Sequence, residues 1–257
     1  MLRPLIALLV LAAVFVPVER VFALRRDQPV LRSGWRTDVA HFLVNPLLRA
    51  VAIVVVVGPF VLLADALVPG RWQSAVTSQP AALQLVEALA IVVVGNYWAH
   101  RLSHRVPLLW RFHRVHHSSE QLDWLAATHL HPLDTAFTLV LPVVPLAALG
   151  FSRATFGASI VLLQLLAILD HANVRWSFGR LRWVIPNPQW HHWHHSNEAA
   201  ARDRNFSNFP FVDAWFGTAH VPNGRWPSRY GIDESMPSGY LGQIASPFRR
   251  SVALRQA

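Results

Sequence analysis

Five apolar runs leave this chain few ways to fold. They cover residues 5–18, 43–67, 81–98, 136–149 and 154–169, with Arg49 near the entry of the second and Glu87 the one charge of the third. A helix needs about 20 mostly apolar residues to cross the hydrocarbon of a bilayer, and a crossing chain must satisfy its backbone polar groups internally. The expected fold is therefore all-α, a polytopic membrane protein with four to five transmembrane or re-entrant helices. The tight Gly150-Phe151-Ser152-Arg153 connection joins the fourth and fifth runs, and Pro142 and Pro145 interrupt the fourth, so this pair forms a full or partly re-entrant hairpin. The first run has a rival reading as a cleaved signal peptide, with Arg3 as its basic start and Val21-Phe22-Ala23 as cleavage region. Glu19 and Arg20 fit such a region badly, which favours a span.

Charge sets the orientation. All 23 basic residues are Arg and the acidic ones number 14, for a formal net charge of +9. A nucleic-acid-binding domain gathers such charge on a soluble face. Here the Arg residues lie between apolar runs, so no nucleic-acid partner is expected. Cytoplasmic loops collect Arg. With the end of the third span facing the cytoplasm, 19 Arg lie inside against Arg3, Arg71 and Arg153 outside, and four or five spans give every later loop the same face. The lack of Cys excludes disulfides, iron-sulfur clusters and cysteine nucleophiles, and the lack of Lys excludes a Schiff-base or P-loop lysine. No repeat or linker divides the chain. One membrane-embedded domain, residues 1–257, is expected, with 233–257 as a cytoplasmic tail.

The chemistry lies in 14 histidines, of which five fall in 100–117 and four in 191–195. They read His100-Arg-Leu-Ser-His104, His113-Arg-Val-His116-His117 and His191-His192-Trp-His194-His195. Residues three and four apart share a helix face, so each set converges its rings. Imidazole suits iron, zinc, copper and nickel, and a tetrahedral zinc is full at four ligands. Eight nitrogens on three short faces suit two metals with positions left open. Haem ligation needs isolated rings on facing helices, unlike these crowded clusters. His41 and His220 stand alone and are set aside.

The ordered set resembles the membrane-bound fatty acid hydroxylase or sterol desaturase superfamily of di-iron enzymes. His100-x3-His104, His113-x2-His116-His117 and Pro188-x2-His191-x2-His194-His195 stand where that family has its three histidine boxes. Thr128-His-Leu-His131-Pro132, Asp170-His171-Ala-Asn173, Asp203-Arg-Asn205-Phe206, Asp213-Ala-Trp-Phe216-Gly217-Thr218 and Tyr230-Gly231-Ile232 extend the match, which covers about 89–232. His192 inside the third box, His129 before the His-Pro pair and Ser207 in place of a frequent Gly depart from the pattern. The resemblance implies two irons (Fe2+/Fe3+) held by His100, His104, His113, His116, His117, His191, His194 and His195, with His131 and His171 as further ligands. Asn205 and Asp213 are candidates for orienting the ligand rings or for bracing the chain around them.

That resemblance, joined to the membrane location, implies an O2-dependent oxygenase that hydroxylates or desaturates an unactivated C–H of a sterol, fatty acyl chain or related lipid. Its catalytic histidines form part of a helical cap on the cytoplasmic side. No GxGxxG follows a strand-like run, so electrons come from an external ferredoxin or cytochrome-type donor, for which the Arg-rich face is a docking surface. Two alternatives remain: a zinc-dependent membrane hydrolase with Glu120 or Glu198 as base, and a non-catalytic metal- or lipid-binding membrane protein.

Overall fold

The computed structural model describes residues 2–249, so 250–257 of the expected tail lie outside the described residues. In chain order the helices are α1 (Leu2–Val21), α2 (Trp35–Val56), α3 (Gly58–Leu67), α4 (Gly70–Thr77), α5 (Ala81–Arg105), α6 (Pro107–His117), α7 (Pro132–Ala148), α8 (Arg153–His171), α9 (Pro188–His194), α10 (Pro210–Trp215) and α11 (Tyr240–Ala245). Among the described residues the extended pairings are two isolated bridges, Ala23 to Val174 and Ser196 to Tyr230. The fold is all-helical.

Four helices are long and apolar enough to cross a membrane: Leu2–Val21, Trp35–Leu67, Ala81–Arg105 and Ala154–His171. In the second, α2 runs through Val57, which keeps helical backbone, into α3. The fourth apolar run becomes α7, only 17 residues long with Pro142 and Pro145 inside it. At 1.5 Å per residue it reaches about 26 Å, nearly the hydrocarbon thickness. Large apolar side chains cover the outward faces, with Val54, Leu62, Val86 and Val161 all exposed, as suits lipid-facing surfaces.

Two ends of the bundle differ in character. At one end Gln73 of α4 donates to the carbonyl of Ala148 (3.2 Å), and Gly150 turns at φ +78° against the Gln73 side chain. At the other end the third span does not stop with its apolar run. Helix α5 continues to Arg105, carrying His100 and His104 on the same rigid rod as the span. Val106 is held extended before Pro107, which ends α5 and starts α6, and α6 packs back on the end of α5. Helix α5 is the axis of the bundle, with α7 and α8 packed along it. A Cβ on Gly95 would lie 2.9 Å from the Pro142 backbone, so only glycine lets α5 and α7 cross this closely.

The first run is a helix docked on the body of the protein. Phe15 stacks on Trp124 with centroids 6.1 Å apart, and the Glu19 carboxylate accepts from the backbone N–H groups of Trp124 (2.8 Å) and Asn173 (2.9 Å). Arg32, counted above with the loop charges, is buried between Asp38 (2.6 Å) and Asp123 (2.8 Å). The segment 233–249 is seated on the start of α2. There Tyr240 donates to Asn45 (2.9 Å), Thr37 donates to the Ser238 carbonyl (2.7 Å) and the His41 ring meets Gln243 (2.9 Å).

Candidate metal centre

Local signals place the histidine helices. Asn187 caps α9 by accepting from Trp190 N–H (3.0 Å), and Pro188 fills the first helical position, so the third box opens within one turn of a defined start. Helices α5, α6, α8 and α9 then converge at one end of the bundle.

Nine histidines form two groups there. His100, His104, His113, His117 and His194 make one, and His116, His171, His191 and His195 make the other; in each, one ligand atom per ring lies within 4.8 Å of the rest. The groups abut, with the His117 and His195 rings stacked at 4.5 Å. All are buried except His100, which is half-buried. Burial pushes His194 down to about 3 and holds His116, His117, His191 and His195 well below the ordinary imidazole range, so these rings are neutral at physiological pH.

Hydrogen bonding on the far nitrogens fixes where the lone pairs point. His100 Nδ1 donates to the Phe206 carbonyl (2.7 Å), His116 Nδ1 to the His129 carbonyl (3.2 Å), His171 Nδ1 to the Ala167 carbonyl (2.7 Å) and His194 Nδ1 to the Arg204 carbonyl (2.8 Å). A carbonyl only accepts, so each of these rings carries its proton on Nδ1 and a bare lone pair on Nε2. His113 Nδ1 donates likewise to the Asp134 carboxylate (3.1 Å). The Nε2 atoms of His100 and His113 then face each other at 3.0 Å, and those of His116 and His171 at 3.2 Å, lone pair to lone pair. The buried Nε2 of His194 has no hydrogen-bond partner among the described residues. Opposed lone pairs repel unless a cation lies among them, so this donor set fits metal ions. Residues that hold the far nitrogen orient the ligand and raise its basicity.

His131, expected with the ligands, is not brought to either group. Its Nδ1 accepts from Leu133 N–H (3.1 Å), capping α7, and its Nε2 meets the Ile244 carbonyl (3.1 Å). His192 is likewise engaged elsewhere, between the Tyr230 hydroxyl (2.8 Å) and the Ala172 carbonyl (3.1 Å). His129 offers its carbonyl to His116 while its ring meets Asp38 at 2.5 Å.

Asn205 and Asp213 act through backbone. Asn205, in the left-handed region at φ 57°, donates to the carbonyls of Trp190 (3.0 Å) and His220 (2.7 Å). Asp213 accepts from the N–H groups of Phe206 and Ser207 (both 2.8 Å) and from the Thr218 hydroxyl (2.6 Å), and burial pushes its carboxyl up to about 6. Together they hold the loop whose carbonyls at 204 and 206 receive His194 and His100. Asp134 escaped the sequence reading; its one signal was an acid at the mouth of an apolar run. Glu198 is committed to Ser228 (2.8 Å) and Glu120 lies against Gly231, so neither joins either group.

A cavity of about 200 Å³ adjoins both groups, walled by α5, α7 and α8 and reached by His100, His113, His116, His171 and His191.

The fatty acid hydroxylase family matches residues 85–218 of the chain. The ornithine lipid hydroxylase OlsE of Rhizobium tropici is 34% identical over 183 residues, 71% of this chain and 53% of its own length. The alkylglycerol monooxygenases of Danio rerio and Homo sapiens are 30% and 28% identical over 49% and 50% of this chain, and 28% and 29% of their own. The chain thus spans about half the length, or less, of these curated relatives. No solved structure matches.

Proposed function

The chain belongs to the fatty acid hydroxylase family, and from that membership we propose that it is a membrane oxygenase that hydroxylates an unactivated C–H of a lipid with O2 and external electrons. The reaction balances as R–H + O2 + 2e− + 2H+ giving R–OH + H2O. The observation that carries this reading is the pair of histidine groups, each with its ligand atoms gathered within 4.8 Å of one another, beside a cavity. His100, His104, His113, His117 and His194 would hold one iron, and His116, His171, His191 and His195 the other. Iron in such a nitrogen site supplies the activation of dioxygen.

The protein's own residues keep the site ready. Asp134 and the carbonyls of residues 129, 167, 204 and 206 fix the orientations of the five rings they receive. The cavity between α5, α7 and α8 takes the reacting part of the lipid. The relatives named above act, by their names, on ornithine lipids and alkylglycerols, which supports a polar lipid as substrate. The Arg residues flanking the histidine helices, among them exposed Arg105 and Arg202, offer an acidic ferredoxin or cytochrome-type donor a docking surface on the cytoplasmic side.

Mass spectrometry of lipids from cells with and without the protein, joined to metal analysis of the purified chain, tests the reading. Two irons per chain and a lipid gaining one oxygen are expected, while a lipid losing two hydrogens would assign the desaturase reaction to the same site. Zinc alone with turnover in the absence of O2 would replace the oxygenase by a hydrolase.

A further inference from the structure

The cavity is not lined as a plain acyl-chain tunnel would be. Helices α7 and α8 follow one another through a tight turn and both pack along α5, yet their backbones stay apart, and the cavity occupies that gap. Polar side chains enter it from all three helices: Asn96 from α5, Thr135 and Thr138 from α7, and Gln164 from α8. Among the described residues the buried Thr135 hydroxyl has no hydrogen-bond partner, while Asn96 is half-buried and Gln164 exposed, so both carboxamides are open to a ligand. Gln164 is exposed on a membrane-spanning helix, where a polar amide is costly without a purpose. Asn96 lies four residues from His100 and Gln164 seven from His171, about 6 and 10 Å along their helices at 1.5 Å per residue. A buried hydroxyl left unpaired, as Thr135 is, is costly until a ligand group pairs with it.

We propose that Asn96, Thr135 and Gln164 form a recognition site for a hydrogen-bonding group of the lipid, an ester, ether, amide or hydroxyl, and that the carbon oxidised lies near that group. This inference rests on the oxygenase reading above and narrows its substrate class. The lipid enters sideways through the gap between α7 and α8, keeps its apolar remainder in the bilayer, and lays its polar group across the amides and the threonine hydroxyl. The reacting carbon then falls beside His100, His113 and His171 at the cavity's inner end.

Two measurements test it. In the first, the full-length protein as purified, kept without O2, binds radiolabelled 1-hexadecanol about tenfold more tightly than hexadecane, the worth of one well-made hydrogen bond. The triple variant Asn96→Leu, Thr135→Val, Gln164→Leu loses that preference while keeping its metal content. In the second, fragmentation of the lipid product places the new oxygen no more than about 10 Å along the extended chain from a polar atom. Equal binding of alcohol and hydrocarbon by the wild type, or an unchanged preference in a metal-loaded triple variant, overturns the inference. A product oxidised at mid-chain or near the methyl end overturns it too, while leaving the oxygenase reading intact. A metal-loaded wild type that changes no lipid in cells removes the oxygenase reading itself.

Discussion

Five of the nine imidazoles at the centre are specified twice, once by the helix that carries them and once by the group on the far nitrogen. Helical spacing names the rings, but the far-nitrogen partners come from distant positions: Asp134 for His113, Phe206 for His100, Arg204 for His194. Asp134→Asn should therefore weaken metal binding about 10–100-fold although Asp134 belongs to neither histidine group, which titration of the apo protein would read directly. His194→Ala should cost more, since it removes a donor. The contrast is His131. Asn at that position still caps α7 and loses only the contact with the Ile244 carbonyl, about 1 kcal/mol. His131→Asn should retain full metal content, and loss of an iron would return His131 to the ligand set. Asp213→Ala unties Phe206 and Ser207 at once, so metal content should fall together with thermal stability.

At the scale of helices, the centre depends on how closely α5 and α7 approach. Gly95 has the Pro142 backbone where a Cβ would be, so Gly95→Leu must push α7 off α5 and carry Asp134 away from His113. Overpacking of this kind costs typically 1–3 kcal/mol or more. Little folded, metal-loaded protein should be recovered from it. Gly157→Leu on α8 supplies the control, because a Cβ there meets nothing within 4 Å, and its yield and metal content should match the wild type. Equal behaviour of the two variants would mean that the crossing does not set the site.

The whole molecule has two unlike ends. The turn between α7 and α8 and helix α4 meet at one end, and the histidine helices, the Arg32 ion pairs and 233–249 gather at the other. The Arg bias predicts that the histidine end faces the cytoplasm. Since the chain has no Cys, single cysteines report cleanly. Exposed Ser78→Cys should react with an impermeant thiol reagent on intact cells, and exposed Ser235→Cys should react only after lysis. Labelling of Ser235→Cys from outside would put the histidine end on the wrong face for a cytoplasmic electron donor.

The sequence by itself determined the apolar spans, the segregation of Arg and the three histidine sets, because hydropathy and helical spacing are local properties that survive without tertiary contacts. It left the boundaries loose where apolarity and helix end at different places: the third span reads as finished at residue 98, while the α5 helix carries both first-box histidines to Arg105. Only the tertiary structure decided which rings share a group. His116 and His117 are neighbours in sequence, yet rings one residue apart on a helix point about 100° apart, and each falls to a different group. Only it showed that His131 turns to a helix cap, that Asp134 serves His113, and that polar side chains from three spans meet in one cavity. Those outcomes depend on packing between segments tens of residues apart, which no local spacing encodes.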